Sequence, residues 1–199
     1  MSAEGFVFPA CTLAAVAEAL SEDPFYMAVR GHHCIAPEEK KRVLMQYLDY
    51  SLQEGARTGR TVAVDEGAAT WSLPITDKAV AEAEGVAKAR YMQDLLGPDY
   101  ESYTKINEFM SAQTTGSPYE GAWYLSILGV LPRRQRSGVG RQLLAETLRE
   151  ADEAGADCFL ETFDDNKGFY DKLGFESVAT HVIPHISAAY TIMARKPQK

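Results

Sequence analysis

The chain is poor in cysteine, short of basic residues and free of any long apolar run, and each shortage removes a class of protein. The three cysteines Cys11, Cys34 and Cys158 form no CxxC pair and stand beside no usable histidine cluster. Neither a disulfide framework nor a zinc site is expected, and reduced thiols point to a reducing, cytoplasmic compartment. Twenty Lys and Arg against 28 Asp and Glu leave a formal net charge of -8, which repels phosphate backbones and anionic lipid. Nucleic acid and membrane surfaces are therefore not expected partners, and any anion site must be local. No stretch nears the ~20 apolar residues of a spanning helix. The apolar segment 6–16 is preceded by Glu4 rather than by Lys or Arg and is interrupted by Pro9. It reads as a buried first strand and helix, not a secretory leader.

What is there suits one globular domain over residues 1–199, with 46% hydrophobic residues and no internal repeat. Helical spacing predicts helices over 12–20 with Thr12 as cap, 38–53, 77–96 with Asp77 as cap, 100–113, 138–154 and 166–173. Residues 21–24 read as the end of the first helix. Strands are predicted over 60–64 and 68–73, joined by a tight turn at 65–67, and over 122–130, 158–163, 175–183 and 188–195. Residues 114–121 carry turn chemistry and read as a surface loop.

The most informative stretch is LGVLPRRQRSGVGRQLL, residues 128–144, which runs from strand through a proline exit and a glycine loop into a helix. Glycines at 138 and 140 let a ligand approach the backbone, and the first amides of the next helix have no internal partner, so the turn suits an anion. Arg133, Arg134, Arg136 and Arg141 gather four cations within nine residues of an acidic chain. Spacing excludes a P-loop, which needs GxxxxGK, and a dinucleotide fold, which needs GxGxxG. A tight turn or close helix packing, beside a solvated basic loop, is the plain alternative.

These residues resemble the GNAT superfamily of N-acetyltransferases, whose signature V-x-P-x-x-(Q or R)-x-x-G-x-(G or A) is met by Val130, Pro132, Gln135, Gly138 and Gly140. A second family pattern, an Asn and a Tyr before a Leu-Gly-Phe turn, is similar to NKGFYDKLGF at 166–175. Over 121–197 the chain looks most like the puromycin N-acetyltransferase group, whereas the first half matches more thinly. The resemblance implies an α/β (α+β) fold, with a mixed, mostly antiparallel sheet splayed at the CoA site and flanked by helices. It implies acetyl-CoA as co-substrate, no metal, and a small-molecule amine as acceptor. A peptide or protein acceptor, and a non-catalytic acyl-CoA-binding module, are the alternatives; a homodimer is left open.

By the same resemblance, Leu128, Gly129 and Val130 would pair with the pantetheine arm, and the Val130 amide would polarise the thioester. Gln135, Arg136, Ser137, Gly138, Val139, Gly140 and Arg141 would hold the pyrophosphate, with Asn166 also on the cofactor. Tyr170 is the candidate acid for the departing thiolate and Glu161 the candidate base. Core packing is the alternative for Tyr170, a solvated strand face for Glu161 and a helix cap for Asn166. His181 and His185, and more weakly His32 and His33, are further titratable candidates. Cys158, within an apolar strand, reads as inert core. Trp71, Tyr91, Tyr100, Tyr103 and Tyr124 are candidate pocket aromatics, with ordinary packing as the alternative.

Overall fold

The computed structural model describes residues 6–30, 36–75 and 77–198; His32, His33 and Cys34 lie outside them. The elements run α1 (Ala10–Leu20), α2 (Pro24–Val29), α3 (Pro37–Thr58), β1 (Gly59–Val64), β2 (Gly67–Ser72), α4 (Lys78–Leu96) and α5 (Tyr100–Thr114). They continue with β3 (Trp123–Val130), α6 (Val139–Ala154), β4 (Cys158–Thr162), α7 (Lys167–Asp171), β5 (Glu176–Ile183) and β6 (Ala188–Arg195). The strands form one sheet in the order β1-β2-β3-β4-β6-β5. Within it β3 and β4 run parallel and the other neighbours antiparallel, as the mixed-sheet expectation has it. No helix of the described residues is long and apolar enough to cross a membrane.

Of three cores among the described residues, the two largest lie on opposite faces of the sheet because strand residues alternate between them. On one face Leu125, Val130, Cys158 and Leu160 pack with Leu143, Leu144 and Leu148 of α6. On the other, Ile127 and Ala68 pack with Val16 of α1, Val43, Leu44 and Leu48 of α3, and Met92 of α4. The pattern along β3 is not a simple alternation. Thr70 pairs with Ile127 and Trp71 with Leu125, which leaves Ser126 as an extra residue in a β-bulge. The Ser126 hydroxyl donates to the Thr70 carbonyl at 3.2 Å. The bulge puts Tyr124 and Ile127 on the same side of the sheet, where a regular strand would put them on opposite sides.

Three expectations are corrected by the fold. No strand precedes α1 among the described residues, and Phe6 and Val7 are exposed, so the buried first strand is absent. Thr12 does not cap α1, which begins at Ala10 after Pro9. The Thr12 hydroxyl instead donates to the Val64 carbonyl at 2.8 Å and fastens the helix to β1. Residues 21–24 end α1 but also start α2, a helix missing from the sequence reading. Asp23 accepts the Phe25 and Tyr26 amides, and Pro24 stands at the first position, which a proline tolerates.

Arg195 ties the two elements that the loop and Tyr170 depend on to the sheet. It is 4% exposed, bonds both Asp152 oxygens at 2.6 and 2.8 Å, and donates from Nε to the Leu173 carbonyl at 2.9 Å. The end of α6 and the turn after α7 are thereby held to β6.

Candidate active site

The sheet opens at its centre. Strand β3 pairs with β4 through Trp123, Tyr124 and Leu125 opposite Cys158, Phe159 and Leu160, and the pairing stops there. Residues 126–130 continue alongside β2, so their other edge has no strand beside it among the described residues. Pro132 then begins a short 3-10 turn and supplies no amide to any ladder. An unpaired edge of buried backbone is costly unless something polar and extended lies along it, so residues 128–130 offer a strip for an amide-bearing ligand.

The turn beyond β3 is shaped for an anion. Arg136 has φ 59 and Gly138 has φ 96, both left-handed, and this reversal turns successive amides toward one side. The first bond of α6 at this end runs from the Gln142 amide to the Gly138 carbonyl at 3.0 Å, which leaves the amides of Val139, Gly140 and Arg141 without a helical partner. The helix dipole adds to their pull on a negative charge. The two glycines differ in role. A Cβ on Gly138 would meet nothing within 4 Å, so its backbone angle is what requires glycine. A Cβ on Gly140 would lie 3.2 Å from Phe169, so there the requirement is close packing of α6 on α7.

The remaining loop residues divide between support and display. Gln135 donates from Nε2 to the Val130 carbonyl at 3.1 Å, and the Ser137 hydroxyl donates to the Arg134 carbonyl at 2.6 Å; both bonds hold the loop's shape. Arg134 lies 3.5 Å from Glu66. Arg133, Arg136 and Arg141 are exposed and pair with no carboxylate among the described residues, so their charge is available to a ligand. Asn166 is exposed and makes no capping bond to α7, which corrects the cap reading.

Tyr170 is buried, its ring edge-on to Phe169 at 5.1 Å and to Phe175 at 6.0 Å. It belongs to the α6-side core, yet its phenol feels the charge of Asp23 and interacts with Tyr26, both on the opposite side of the sheet. The open gap between β3 and β4 lets them approach. Burial first, and the Asp23 charge second, push the Tyr170 phenol well above its ordinary value, so it holds its proton throughout the neutral range.

Beside the gap lies a cavity of about 290 Å³, at the small end of ligand pockets. Its walls include Tyr26, Tyr47 and Glu54 from the α2 and α3 side, Tyr103 and Asn107 from α5, and Tyr124, Ser126 and Glu161 from the sheet. Helix α5 roofs it. Glu161 stands where β4 leaves β3 and accepts the Tyr124 hydroxyl on Oε2 at 2.8 Å. Phe159 stacks on Tyr124 with centroids 4.6 Å apart. Burial raises the Glu161 carboxyl above its ordinary value, and the Tyr124 bond only partly offsets this. Asp23, at the α2 cap, also lines the cavity, and burial raises it to about 6. The sequence reading missed Asp23; its signal was an Asp-Pro pair before Phe25.

Other candidates lie elsewhere. Of the five aromatics, Tyr103 and Tyr124 line the cavity. Trp71 is fully buried in the α6-side core, Tyr91 stacks on Tyr50 at 4.4 Å, and Tyr100 packs near Tyr103. His181 sits 5.8 Å from the Tyr190 ring and His185 is exposed, and neither lines the cavity. Burial pushes the Cys158 thiol up to about 12, which leaves it inert. Among the described residues no group of three or more His, Cys, Asp or Glu is placed to hold a metal.

Comparison with known proteins gives the arrangement its family context. Residues 101–177 match the model of the acetyltransferase (GNAT) domain. The whole fold is similar to a Corynebacterium glutamicum structure described as histone acetyltransferase HPA2 and related acetyltransferase, at TM-score 0.66 and 18% identity, covering 94% of this chain and 90% of that one. It is also similar to a putative GNAT-family acetyltransferase from Desulfovibrio desulfuricans, at TM-score 0.51 and 19% identity, covering 98% of each chain. At such identities the two structures speak to the fold, and the matched domain adds the chemistry. The chain has the GNAT fold and is similar over residues 101–177 to the acetyltransferase (GNAT) domain, which together support an acyltransferase.

Proposed function

We propose that this enzyme moves an acetyl group from acetyl-CoA to the primary amine of a small molecule, as the likeness of residues 121–197 to the puromycin N-acetyltransferase group suggests. The observation that carries the reading is the cavity of about 290 Å³ roofed by α5 at the gap between β3 and β4. A peptide acceptor needs an open groove, whereas this space suits a compact molecule.

The donor site fits its group: the unpaired edge of residues 128–130 suits the amide-bearing arm, and the amides and arginines of 136–141 suit the pyrophosphate. Bound there, acetyl-CoA supplies a thioester with a thiolate leaving group. Glu161 takes a proton from the acceptor nitrogen as it attacks the carbonyl carbon, using the oxygen that Tyr124 leaves open. Burial suits it to this, because a carboxylate with a raised proton affinity is a better base near neutrality. As the carbon–sulfur bond breaks, Tyr170 gives its proton to the leaving sulfur.

Gly138→Ala tests the donor site. With no atom within 4 Å of the added methyl, only the left-handed backbone is strained, at a cost of about 1–2 kcal/mol. Calorimetry should show acetyl-CoA affinity falling about tenfold; unchanged affinity would place the pyrophosphate elsewhere. For the reaction, a thiol-release screen with acetyl-CoA across small amines should give turnover. Tight acetyl-CoA binding with no turnover on any amine would favour a non-catalytic module, and turnover on peptides alone a protein acetyltransferase.

A further inference from the structure

We propose that Asp23 reads a second positive charge on the acceptor, so that the preferred substrate is a compact, apolar-bodied diamine with one nitrogen reacting and the other held as an ammonium. This rests on the small-amine reading above and adds the charge of the substrate to it.

The cavity has a charge imbalance. Among the described residues, Asp23, Glu54 and Glu161 line it against the single ammonium of Lys88, which is bonded to Glu54 at 2.7 Å. Two carboxylates, Asp23 and Glu161, are thus left without a cation among the described residues. The nitrogen that attacks the thioester must be neutral when it does so, and Glu161 is occupied with its proton. A monoamine would leave the half-buried Asp23 charge without a cation beside it, which is unfavourable.

The surroundings of Asp23 are those of an organic cation site. Oδ1 accepts the Phe25 and Tyr26 amides at 2.9 and 3.4 Å, which fixes the carboxylate and leaves Oδ2 for a ligand. Next to it, Phe25, Tyr26 and Tyr47 form an edge-on cluster with centroids 5.2–6.4 Å apart, and Tyr47 continues to Tyr103 at 6.2 Å. Ring faces beside a carboxylate attract ammonium groups, and the rings match an apolar body. A second observation at the opposite wall also points to a ligand. Tyr190 is 1% exposed, lines the cavity, and its buried hydroxyl has no hydrogen-bond partner among the described residues. Buried hydroxyls are seldom left so, and a polar group on the acceptor would satisfy this one. The raised carboxyl of Asp23, about 6, is still mostly ionised above neutrality, and a bound cation would offset the burial that raises it.

The test compares two amines of nearly identical shape, p-xylylenediamine and 4-methylbenzylamine, which differ in whether the far end carries an ammonium. With acetyl-CoA saturating at pH 8, kcat/KM for the diamine should exceed that for the monoamine by about thirtyfold, well beyond the twofold expected from its two equivalent nitrogens. Asp23→Asn keeps a residue that caps α2 as well as Asp does, and a melting curve checks that it folds. In it the ratio of the two kcat/KM values should fall to about that twofold, and the ratio is the readout because removing the Asp23 charge beside Tyr170 acts on both amines alike. Equal use of the two amines by the parent overturns the inference while leaving acetyl transfer to amines intact. So does an Asp23→Asn enzyme that loses both rates in proportion, which would give Asp23 a part in the reaction itself, or turnover of other monoamines with neither probe accepted. An absence of turnover on every amine overturns the small-amine reading instead.

Discussion

Tyr170→Phe should lower kcat by about 100-fold or more while leaving acetyl-CoA affinity within about threefold. The substitution removes one oxygen and keeps the ring, so the contacts with Phe169 and Phe175 that seat α7 persist. What is lost is a proton held at the gap by burial and by the Asp23 charge. If Tyr170 is only a core aromatic, losing its hydroxyl should not touch the rate. Stopped-time thiol release with parallel calorimetry separates the two outcomes, and equal rates for variant and parent would remove Tyr170 as the acid.

Glu161→Gln should cost about 100-fold at pH 7 and change the pH dependence as well. In the parent the rate rises with pH as Glu161 loses its proton, through a value that burial has moved up toward neutrality. In the variant the Glu161 limb disappears, leaving the ionisation of Asp23, raised to about 6, and that of the amine substrate at higher pH. The Gln carbonyl still accepts the Tyr124 hydroxyl, so the wall of the cavity is kept. Stability supplies a second readout of opposite sign. The native protein binds the Glu161 proton more tightly than the unfolded chain does, so the parent loses stability as pH rises from the ordinary carboxylate range to the raised value. Glu161→Gln escapes this loss and should melt above the parent at pH 8, with the difference shrinking in acid. An unchanged pH–rate profile would rule out the base role.

The strand, loop and helix of the proposed donor half were legible in the sequence because they are local in the chain. Strand, proline, glycines and helix follow one another within residues 128–144, an order that suits an anion-binding turn, with a plain tight turn or close helix packing as the alternative. Even so, the sequence did not separate Gly138, needed for its backbone angle, from Gly140, needed for packing on Phe169. Nor did it foresee that Gln135 turns back to the Val130 carbonyl. The acceptor half was less legible because it is assembled from distant segments. Periodicity places Trp71 and Tyr124 on strands but does not say which face each takes. The bulge at Ser126, which carries no glycine or proline to mark it, decides that for β3. Helix α2 is six residues, too short for a periodic signal, yet its cap supplies the Asp23 carboxylate.

A crystal structure with CoA bound tests the central claim most directly. The account places the pyrophosphate on the amides of residues 136–141, the pantetheine arm along the free edge of residues 128–130, and the sulfur at the gap between β3 and β4, within hydrogen-bond reach of the Tyr170 hydroxyl and open to the cavity that holds Glu161. A pyrophosphate seated away from that loop, or a sulfur on the far side of the sheet from Tyr170 and the cavity, would contradict it.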